Sequence, residues 1–161
     1  MGQWASGLYI VKNPEKFAGR KTPKYKSSWE RTFMQYLDET PSIMRWSYEP
    51  FPIPYVHPFT HKRSNYWPDF LVQYIDKNGQ SHVDLIEVKP SSQVTLEAAG
   101  NSKKAQVDVI LNTAKWEAAV QYAKMKGMTF KIVDETQIYV SKQKRQMKPR
   151  NTKSRIKRRP R

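Results

Sequence analysis

The residues best suited to chemistry stand at the ends of apolar segments. Asp69 comes directly before one apolar run, and Glu87 and Lys89 lie on either side of Val88 at the end of a later one. Because side chains alternate between the two faces of a strand, Glu87 and Lys89 point to one face and Val88 to the other. A hairpin joining the two segments is expected to bring Asp69 beside Glu87.

Such a group predicts a metal-dependent hydrolytic site. Two neighbouring carboxylates repel each other, and a cation between them offsets this repulsion. Oxygen ligands favour a hard ion such as Mg²⁺ or Mn²⁺, so Asp69 and Glu87 are predicted metal ligands, with the Val88 carbonyl as a third. A lysine beside the metal orients a water and stabilises negative charge that develops on a phosphate. With Lys89, the set suits phosphodiester hydrolysis.

A structural interpretation of the same residues stays open. Pro-Asp is a common turn dipeptide, and Glu87 and Lys89 on one strand face also make an ordinary ion pair. The apolar residues around Asp69 weigh against this interpretation, because an unpaired structural carboxylate is costly in such surroundings. Glu49 is a further open case: it faces the site from a neighbouring strand or pairs with a lysine.

The elements that would position these residues form an α/β fold. Ser27-Ser28-Trp29-Glu30 is a capping-box pattern that predicts a helix over 29–39, with Glu30 bonded to the Ser27 amide. The sequence further predicts a short helix over 41–46, strands over 66–75 and 81–89, a long helix over 103–126 and a strand over 129–133. The proline-rich residues 48–55 are expected to form an edge strand or a polyproline-like stretch. A strand, a helix and a strand imply one parallel crossover on an otherwise antiparallel sheet.

The charge of the chain is unevenly distributed. Net charge is +15, and 11 of the 29 Lys and Arg lie in residues 141–161, which contain no acid. We therefore expect an N-terminal arm (1–26), a folded domain (27–140) and a basic tail (141–161) that is disordered or ordered by a partner. A polyanion is the expected partner, since neutralised phosphates release counterions. The candidate DNA-binding residues are Lys21, Lys24, Lys26, Lys104, Lys144, Arg145, Lys148, Arg150, Arg155, Lys157, Arg158 and Arg159.

Composition excludes several classes of protein and site. The chain has no cysteine, which rules out disulfides, thiolate metal sites and cysteine nucleophiles. It contains neither a Gly-rich phosphate loop nor an apolar run long enough for a membrane span, so no membrane partner is expected. His57 and His61 are four residues apart, but Pro58 breaks the helix that a zinc-binding pair at this spacing needs.

The motif formed by Asp69, Glu87 and Lys89 belongs to a resemblance that covers a larger part of the chain. Pro68-Asp69 followed by Glu87-Val88-Lys89 resembles the PD-(D/E)xK signature of the restriction-endonuclease-like superfamily, and the predicted α-β-β-β-α-β order with a mixed central sheet is similar to its core. The chain also resembles the head completion nucleases of T-even-like tailed phages. That likeness covers Ser27-Ser28-Trp29-Glu30-Arg31, Pro41-Ser42-Ile43, Trp46-Ser47-Tyr48-Glu49 and Ile53-Pro54-Tyr55.

The resemblance implies a Mg²⁺-dependent DNA nuclease, with Mn²⁺ expected to substitute, that acts in phage head completion on packaged DNA before tail joining. It makes Asp69 and Glu87 metal ligands and Lys89 the catalytic lysine. Glu30 matches a glutamate that many members present from their first helix, and it is equally interpreted as a helix cap. Lys104 and Gln106 are candidates for a further residue that relatives place on the next helix.

A second function stays open beside the nuclease. The same basic arms suit a non-catalytic DNA-binding or virion assembly protein of the phage head or neck. In both cases double-stranded DNA is the expected partner, read with little sequence specificity because no base-reading element is evident. Portal or neck proteins are further expected partners, and the expected location is the host bacterial cytoplasm, with or without association with the virion.

Overall fold

A four-stranded mixed sheet lies at the centre of the computed structural model, which describes residues 5–138. The helices and strands in this part of the chain are β1 (Gly7–Leu8), β2 (Lys24–Tyr25), α1 (Ser28–Glu39), β3 (Ile43–Tyr48), β4 (Ile53–Val56), β5 (Arg63–Tyr66), β6 (Phe70–Ile75), β7 (Ser81–Val88), α2 (Leu96–Ala99), α3 (Lys103–Met125) and β8 (Thr129–Val133). The predicted basic tail, with its DNA-binding residues from Lys144 to Arg159, lies outside the described residues.

The sheet has the strand order β3-β6-β7-β8. β3 and β7 pair antiparallel with β6, whereas β8 pairs parallel with β7 after the crossover through α3. With α1 before the first of these strands, the chain follows the predicted α-β-β-β-α-β order. The predicted mixed α/β fold with one parallel crossover is therefore confirmed.

Alternation along β7 divides the core between the two faces of the sheet. Ile86 and Val88 pack in the cluster on the α1 side, together with Phe33 of α1. Leu85 packs in the second cluster, together with Trp116 of α3. Since side chains two residues apart share a face of a strand, Glu87 lies on the same side as Leu85, the side that α3 covers.

Two predicted elements differ from the structure at the start of the sheet. The helix expected over 41–46 is wrong, because β3 occupies Ile43–Tyr48. The stretch expected over 48–55 forms an edge strand only in its second half, where Ile53–Val56 make β4. Trp46 is 1% exposed, and its ring packs against Phe17 and Phe70 at centroid distances of 4.8 Å and 6.2 Å. These contacts join residues distant in sequence, and they override the local helix signal of Thr40-Pro41.

The strand predicted over 66–75 is divided into β5 and β6. Trp67, Pro68 and Asp69 separate the two strands, and Pro68 has no N–H to donate to a sheet. β5 pairs with β4 in a two-stranded hairpin of its own. The hairpin lies against α3 and stands apart from the central sheet.

Residues 9–16, within the predicted N-terminal arm, pack onto the body of the protein. Buried Asp38 of α1 accepts hydrogen bonds from Tyr9 Oη at 2.8 Å, Lys12 N at 2.8 Å and Asn13 N at 3.0 Å. The ammonium group of Lys16 donates to carbonyl oxygens in the last turn of α1, where a cation also complements the helix dipole. Residues 9–16 are thereby docked on the C-terminal end of α1.

In the part of the chain that the structure describes, no helix combines the length and apolarity needed to cross a membrane.

Candidate active site

Three carboxylate residues stand side by side where β3, β6 and β7 reach one edge of the sheet. The β6–β7 ladder ends at the pair Phe70 and Ile86, and Asp69 and Glu87 are the next residues beyond it. Glu49 directly follows β3, and its N–H donates to the carbonyl oxygen of Asp69 at 2.9 Å. The structure thus brings the two halves of the predicted metal motif to adjacent strand ends.

Asp69 is partly buried and feels the charge of other acids. Its Oδ2 accepts a hydrogen bond from the N–H of Val88 at 2.9 Å, which places the Val88 peptide group at the site. Burial and the negative charges of Glu87 and Glu30 raise the pKa of Asp69 well above its ordinary value, although the Val88 bond and the charge of Lys89 oppose this. The carboxylate is therefore destabilised in its ionised form unless a cation lies nearby.

Glu87 is 7% exposed and is held by a tyrosine that the sequence analysis missed. Tyr66 Oη donates to Glu87 Oε2 at 2.6 Å. Burial raises the pKa of Glu87, while the Tyr66 hydrogen bond and the charge of Lys89 act in the opposite direction. Burial and Glu87 also raise the pKa of the Tyr66 hydroxyl, so Tyr66 remains a donor. The one local signal for this role is its place three residues before Asp69.

Two lysines approach the acids from different elements. Lys89 follows β7, and its N–H donates to the carbonyl oxygen of Val133 at 3.0 Å, which anchors this strand end to β8. Lys115 of α3 interacts electrostatically with both Glu87 and Lys89. Burial and the like charge of Lys89 lower the pKa of Lys115. The acids thus have one lysine from the motif and one from the covering helix.

Lys115 was not among the candidates that the sequence suggested for α3. Lys104 is exposed in the first turn of the helix, and Gln106 Nε2 donates to the carbonyl oxygen of Gly100 at 2.6 Å. At about 1.5 Å of rise per residue, Lys115 lies about 16 Å further along the helix than Lys104. Sequence alone does not show which turn of a long helix crosses the strand ends.

The structure places Glu30 in the first turn of α1, near the acids, and its catalytic role stays a prediction. Its N–H donates to Ser27 Oγ at 3.1 Å, so the Ser27 side chain caps α1. Its Oε2 accepts from the N–H of Lys26 at 2.8 Å, so the predicted bond to the Ser27 amide is wrong by one residue. Burial raises the pKa of Glu30, and its charge acts on Asp69 and is offset by Lys89. Ser27 is therefore the cap of α1, while Glu30 bonds to the preceding chain and borders the acids.

Two of the predicted DNA-binding lysines lie at this edge. Lys21 Nζ is 3.1 Å from Glu49 Oε2 and sits 3.5 Å from the centre of the Trp67 ring. Lys26 Nζ is 3.9 Å from Glu49 Oε1. Glu49 thus borders the site and also pairs with lysines, the two interpretations that the sequence left open. Lys24 is exposed on β2.

The donor groups at this edge fit a hard divalent cation. Within residues 5–138, no set of three or more His, Cys, Asp and Glu side chains converges as a metal-binding cluster. The candidate ligands for a metal ion are therefore the pair Asp69 and Glu87. Both groups are oxygen donors, and their ionised forms repel each other. Oxygen ligands of this kind suit Mg²⁺ or Mn²⁺, which keep several waters when bound to one or two carboxylates.

This architecture defines a class of protein. A mixed sheet in α-β-β-β-α-β order, with an acid pair and a lysine at neighbouring strand ends, is the arrangement of restriction-endonuclease-like nucleases. A family model described as TnsA-like endonuclease N terminal matches residues 40–135, the span that runs from the end of α1 through β8. The chain belongs to this family.

Comparison with a known protein points to a more particular kind of nuclease. The head completion nuclease of Enterobacteria phage T4 is 33% identical to this chain over 138 residues, which cover 81% of this chain and 91% of the relative. The resemblance to head completion nucleases is therefore confirmed, and both comparisons support a nuclease role in which the chain hydrolyses DNA. No solved structure matches the chain at a significant level.

Proposed function

We propose that this protein is a Mg²⁺-dependent DNA nuclease of low sequence specificity. The proposal rests on one observation above all: Asp69 and Glu87 occupy adjacent strand ends, where burial destabilises both ionised forms and the charge of Glu87 further destabilises that of Asp69. Such a pair is more stable with a divalent cation bound between its carboxylates than without one. Mn²⁺ is expected to substitute for Mg²⁺, because both are hard ions that accept carboxylate and carbonyl oxygens.

Each side chain of the site has a role in this proposal. Asp69 and Glu87 would hold the ion, with the Val88 carbonyl as a further ligand. When bound, the ion supplies positive charge at the scissile phosphate and lowers the pKa of an attacking water. Lys89 orients that water and offsets negative charge on the phosphate. Tyr66 keeps Glu87 in place through its hydrogen bond.

Lys115 and Glu30 extend the site on its two sides. Burial and Lys89 lower the pKa of Lys115, so this amine gives up a proton more readily than an exposed lysine. Lys115 is therefore proposed to contact the phosphate of the substrate or to take part in a proton transfer. Glu30 is proposed to contribute negative charge that strengthens the attraction of a cation to Asp69.

The basic residues are proposed to hold the DNA backbone. Lys21 and Lys26 already lie at the edge that carries the acids, so a phosphate there would compete with Glu49 for them. The tail residues are proposed to add sequence-independent affinity through counterion release. No base-reading role is assigned to any of them, which is why low sequence specificity is expected.

The biological setting is proposed by analogy with the relative from phage T4, which is named for head completion. We propose that the chain acts on packaged DNA before tail joining, in the host bacterial cytoplasm or on the virion. Portal or neck proteins are the proposed protein partners.

Cleavage of supercoiled plasmid tests the proposal directly. The wild-type protein is expected to nick or degrade plasmid with Mg²⁺ and to leave it intact with EDTA. Asp69→Ala is expected to lower the rate on the order of a thousandfold, because metal stabilisation of the reaction is worth several kcal/mol and each 1.36 kcal/mol is tenfold in rate. The change removes a repelling carboxylate, so DNA binding should be unchanged or tighter.

A matched variant controls for loss of an acid elsewhere. Glu97 is exposed on α2, so Glu97→Ala should cleave like the wild type. Equal loss of binding and cleavage in Asp69→Ala would instead make Asp69 a structural residue. Binding without cleavage in both Mg²⁺ and Mn²⁺ would favour the non-catalytic assembly protein.

A further inference from the structure

The β4–β5 hairpin ends in an exposed aromatic residue. Inward-facing Ile53 and Tyr55 of β4 are buried against the α3 side of the core, whereas Val56 faces outward and is 60% exposed. At the tip, Phe59 is 49% exposed. The core therefore supports the hairpin along one side and leaves its tip uncovered in the described structure.

The tip is held in one conformation by its own residues. His57 Nδ1 accepts hydrogen bonds from the N–H groups of both Phe59 and Thr60, each at 3.2 Å. The N–H of His61 donates to the carbonyl oxygen of His57 at 2.9 Å, and His61 has a φ of 56°, in the left-handed region. An aromatic side chain on such a tip is presented to a partner with little further loss of backbone entropy.

The hairpin carries positive charge and no negative charge. Residues 50–68 contain no Asp or Glu, and the exposed residues Lys62 and Arg63 lie beside the tip, at the start of β5. An exposed aromatic residue flanked by cations is complementary to DNA, which presents phosphates outside its stacked bases.

The base of the hairpin is part of the candidate active site. Tyr66 ends β5 and donates to Glu87, and Asp69 follows three residues later. The four steps from Lys62 to Tyr66 span about 13 Å of extended chain, or about four base steps along one DNA strand. A DNA bound at the strand ends therefore passes within reach of the tip.

We propose that Phe59 is a wedge that stacks on bases at an opened step in the DNA, so that the protein favours branched or frayed duplexes over continuous ones. The inference rests on the proposed function, since it names the form of DNA that the same site accepts. Lys62 and Arg63 would hold the flanking phosphates.

The preference follows from the energy needed to open a base step. Phenylalanine has no polar group with which to read base edges, so it gains binding energy only by stacking or by entering between bases. Entering a continuous duplex costs a few kcal/mol for each unstacked step. At a branch the bases are already unstacked, so this cost falls away while the stacking gain remains.

Binding measurements in EDTA test the preference without cleavage. We would compare a Y-shaped duplex with a linear duplex of the same length and base composition, both labelled for fluorescence anisotropy, at one salt concentration. The wild-type protein is expected to bind the Y-shaped DNA about tenfold more tightly. Phe59→Ala should lose most of this preference with less than a twofold change on linear DNA, and Phe59→Trp should retain the preference.

Two further variants separate stacking from charge and from general surface effects. Arg63→Ala should weaken binding to both DNAs by a similar factor, because a phosphate contact does not depend on base stacking. Met125 is 82% exposed at the far end of α3, so Met125→Ala should bind like the wild type. Equal wild-type binding to both DNAs, or a preference that survives in Phe59→Ala, would overturn the inference.

The outcome is independent of the nuclease assay. Cleavage of plasmid without a preference for the Y-shaped DNA would refute the wedge and leave the nuclease standing. A Phe59-dependent preference in a protein that cleaves nothing would support the wedge and refute the proposed catalysis.

Discussion

At the scale of residues, the candidate site contains buried acids whose ionised forms are destabilised. Burial raises the pKa values of both Asp69 and Glu87. The negative charges of Glu87 and Glu30 raise the pKa of Asp69 further, and that of Glu30 acts in the same direction on Glu87. A carboxyl group with a raised pKa in the folded state favours folding while it is protonated and opposes folding once it is ionised. The acid pair therefore lowers the stability of the metal-free protein near neutral pH, and a bound cation is expected to restore it.

Replacing Asp69 by asparagine should stabilise the metal-free protein. The contribution of Asp69 to stability is fully present below its unfolded pKa of about 4 and is lost as the pH rises through its higher folded pKa. Thermal unfolding in EDTA at pH 7.5 should give a higher Tm for Asp69→Asn than for the wild type. The expected rise is about 2–4 °C for each 1 kcal/mol gained in the free energy of unfolding. The difference should shrink toward pH 4.

Addition of Mg²⁺ and a control variant at a distant acid test whether the change in Tm comes from the metal site. Mg²⁺ should raise the Tm of the wild type and have little effect on Asp69→Asn. Glu97→Gln, a change at an exposed acid, should follow the wild type in every condition. A lower Tm for Asp69→Asn in EDTA would mean that the Val88 hydrogen bond outweighs the repulsion at Asp69.

At the scale of elements, Asp38 connects α1 to the N-terminal segment. The carboxylate accepts two backbone N–H groups and the Tyr9 hydroxyl, from a stretch of chain more than twenty residues earlier. The same segment continues to Lys21 and Lys26, which pair with Glu49 at the site. The hydrogen bonds of Asp38 fix the N-terminal segment at the C-terminal end of α1. They therefore help to hold two basic residues of that segment near the acids at the N-terminal end of the helix.

Replacing Asp38 by asparagine should destabilise the fold. An amide group would present N–H toward backbone donors, and a lost buried hydrogen bond of this kind costs about 1–3 kcal/mol. Burial acts to raise the pKa of Asp38, but the bonds from Lys12, Tyr9 and Asn13 outweigh it and lower the pKa. The stabilisation is thus present above the unfolded pKa of about 4 and lost as the pH falls through the lower folded pKa.

Urea unfolding at pH 7 and pH 3 measures both effects. The gap between wild type and Asp38→Asn should be large at pH 7 and smaller at pH 3. Glu39→Gln is the control, because the pair of Glu39 with Lys12 is largely exposed and such pairs contribute at most about 1 kcal/mol. A gap that does not depend on pH would show that the charge of Asp38 is not what holds the segment.

At the scale of the whole molecule, positive charge surrounds a small set of acids. Net charge is +15 for 161 residues, yet four carboxylate residues, Glu30, Glu49, Asp69 and Glu87, gather at one edge of the sheet. A basic surface attracts the DNA backbone from a distance, and the acids mark the place where a cation would join it. In the proposed function, most of the DNA binding and the chemistry thus belong to different residues.

Deleting residues 141–161 should weaken DNA binding and reduce its salt dependence. Each neutralised phosphate adds about 0.9 to the slope of log affinity against log salt concentration, so eleven tail cations account for a change of at most about 10. The measurement is the dissociation constant for linear duplex DNA over a range of salt concentrations, with Tm as a check of folding. The same slope in both proteins would contradict the role of the tail.

Local patterns in the sequence determined a large part of the fold. The repeat of apolar residues every three or four positions predicted α3, and the capping residues Ser27 and Ser102 are found where helices begin. The acid and lysine motif also pointed to the right strand ends, because a period of two and a hairpin are enough to bring Asp69 beside Glu87. Such features depend on residues close together in the chain, and the sequence displays them directly.

Contacts between distant residues decided the rest. Trp46 packs against Phe17 and Phe70, which turns a predicted helix into β3. Tyr66 and Lys115 reach Glu87 from β5 and α3, and no spacing in the sequence links them to it. Local propensity is weak beside the free energy of packing, so only the tertiary structure could place these residues at the site.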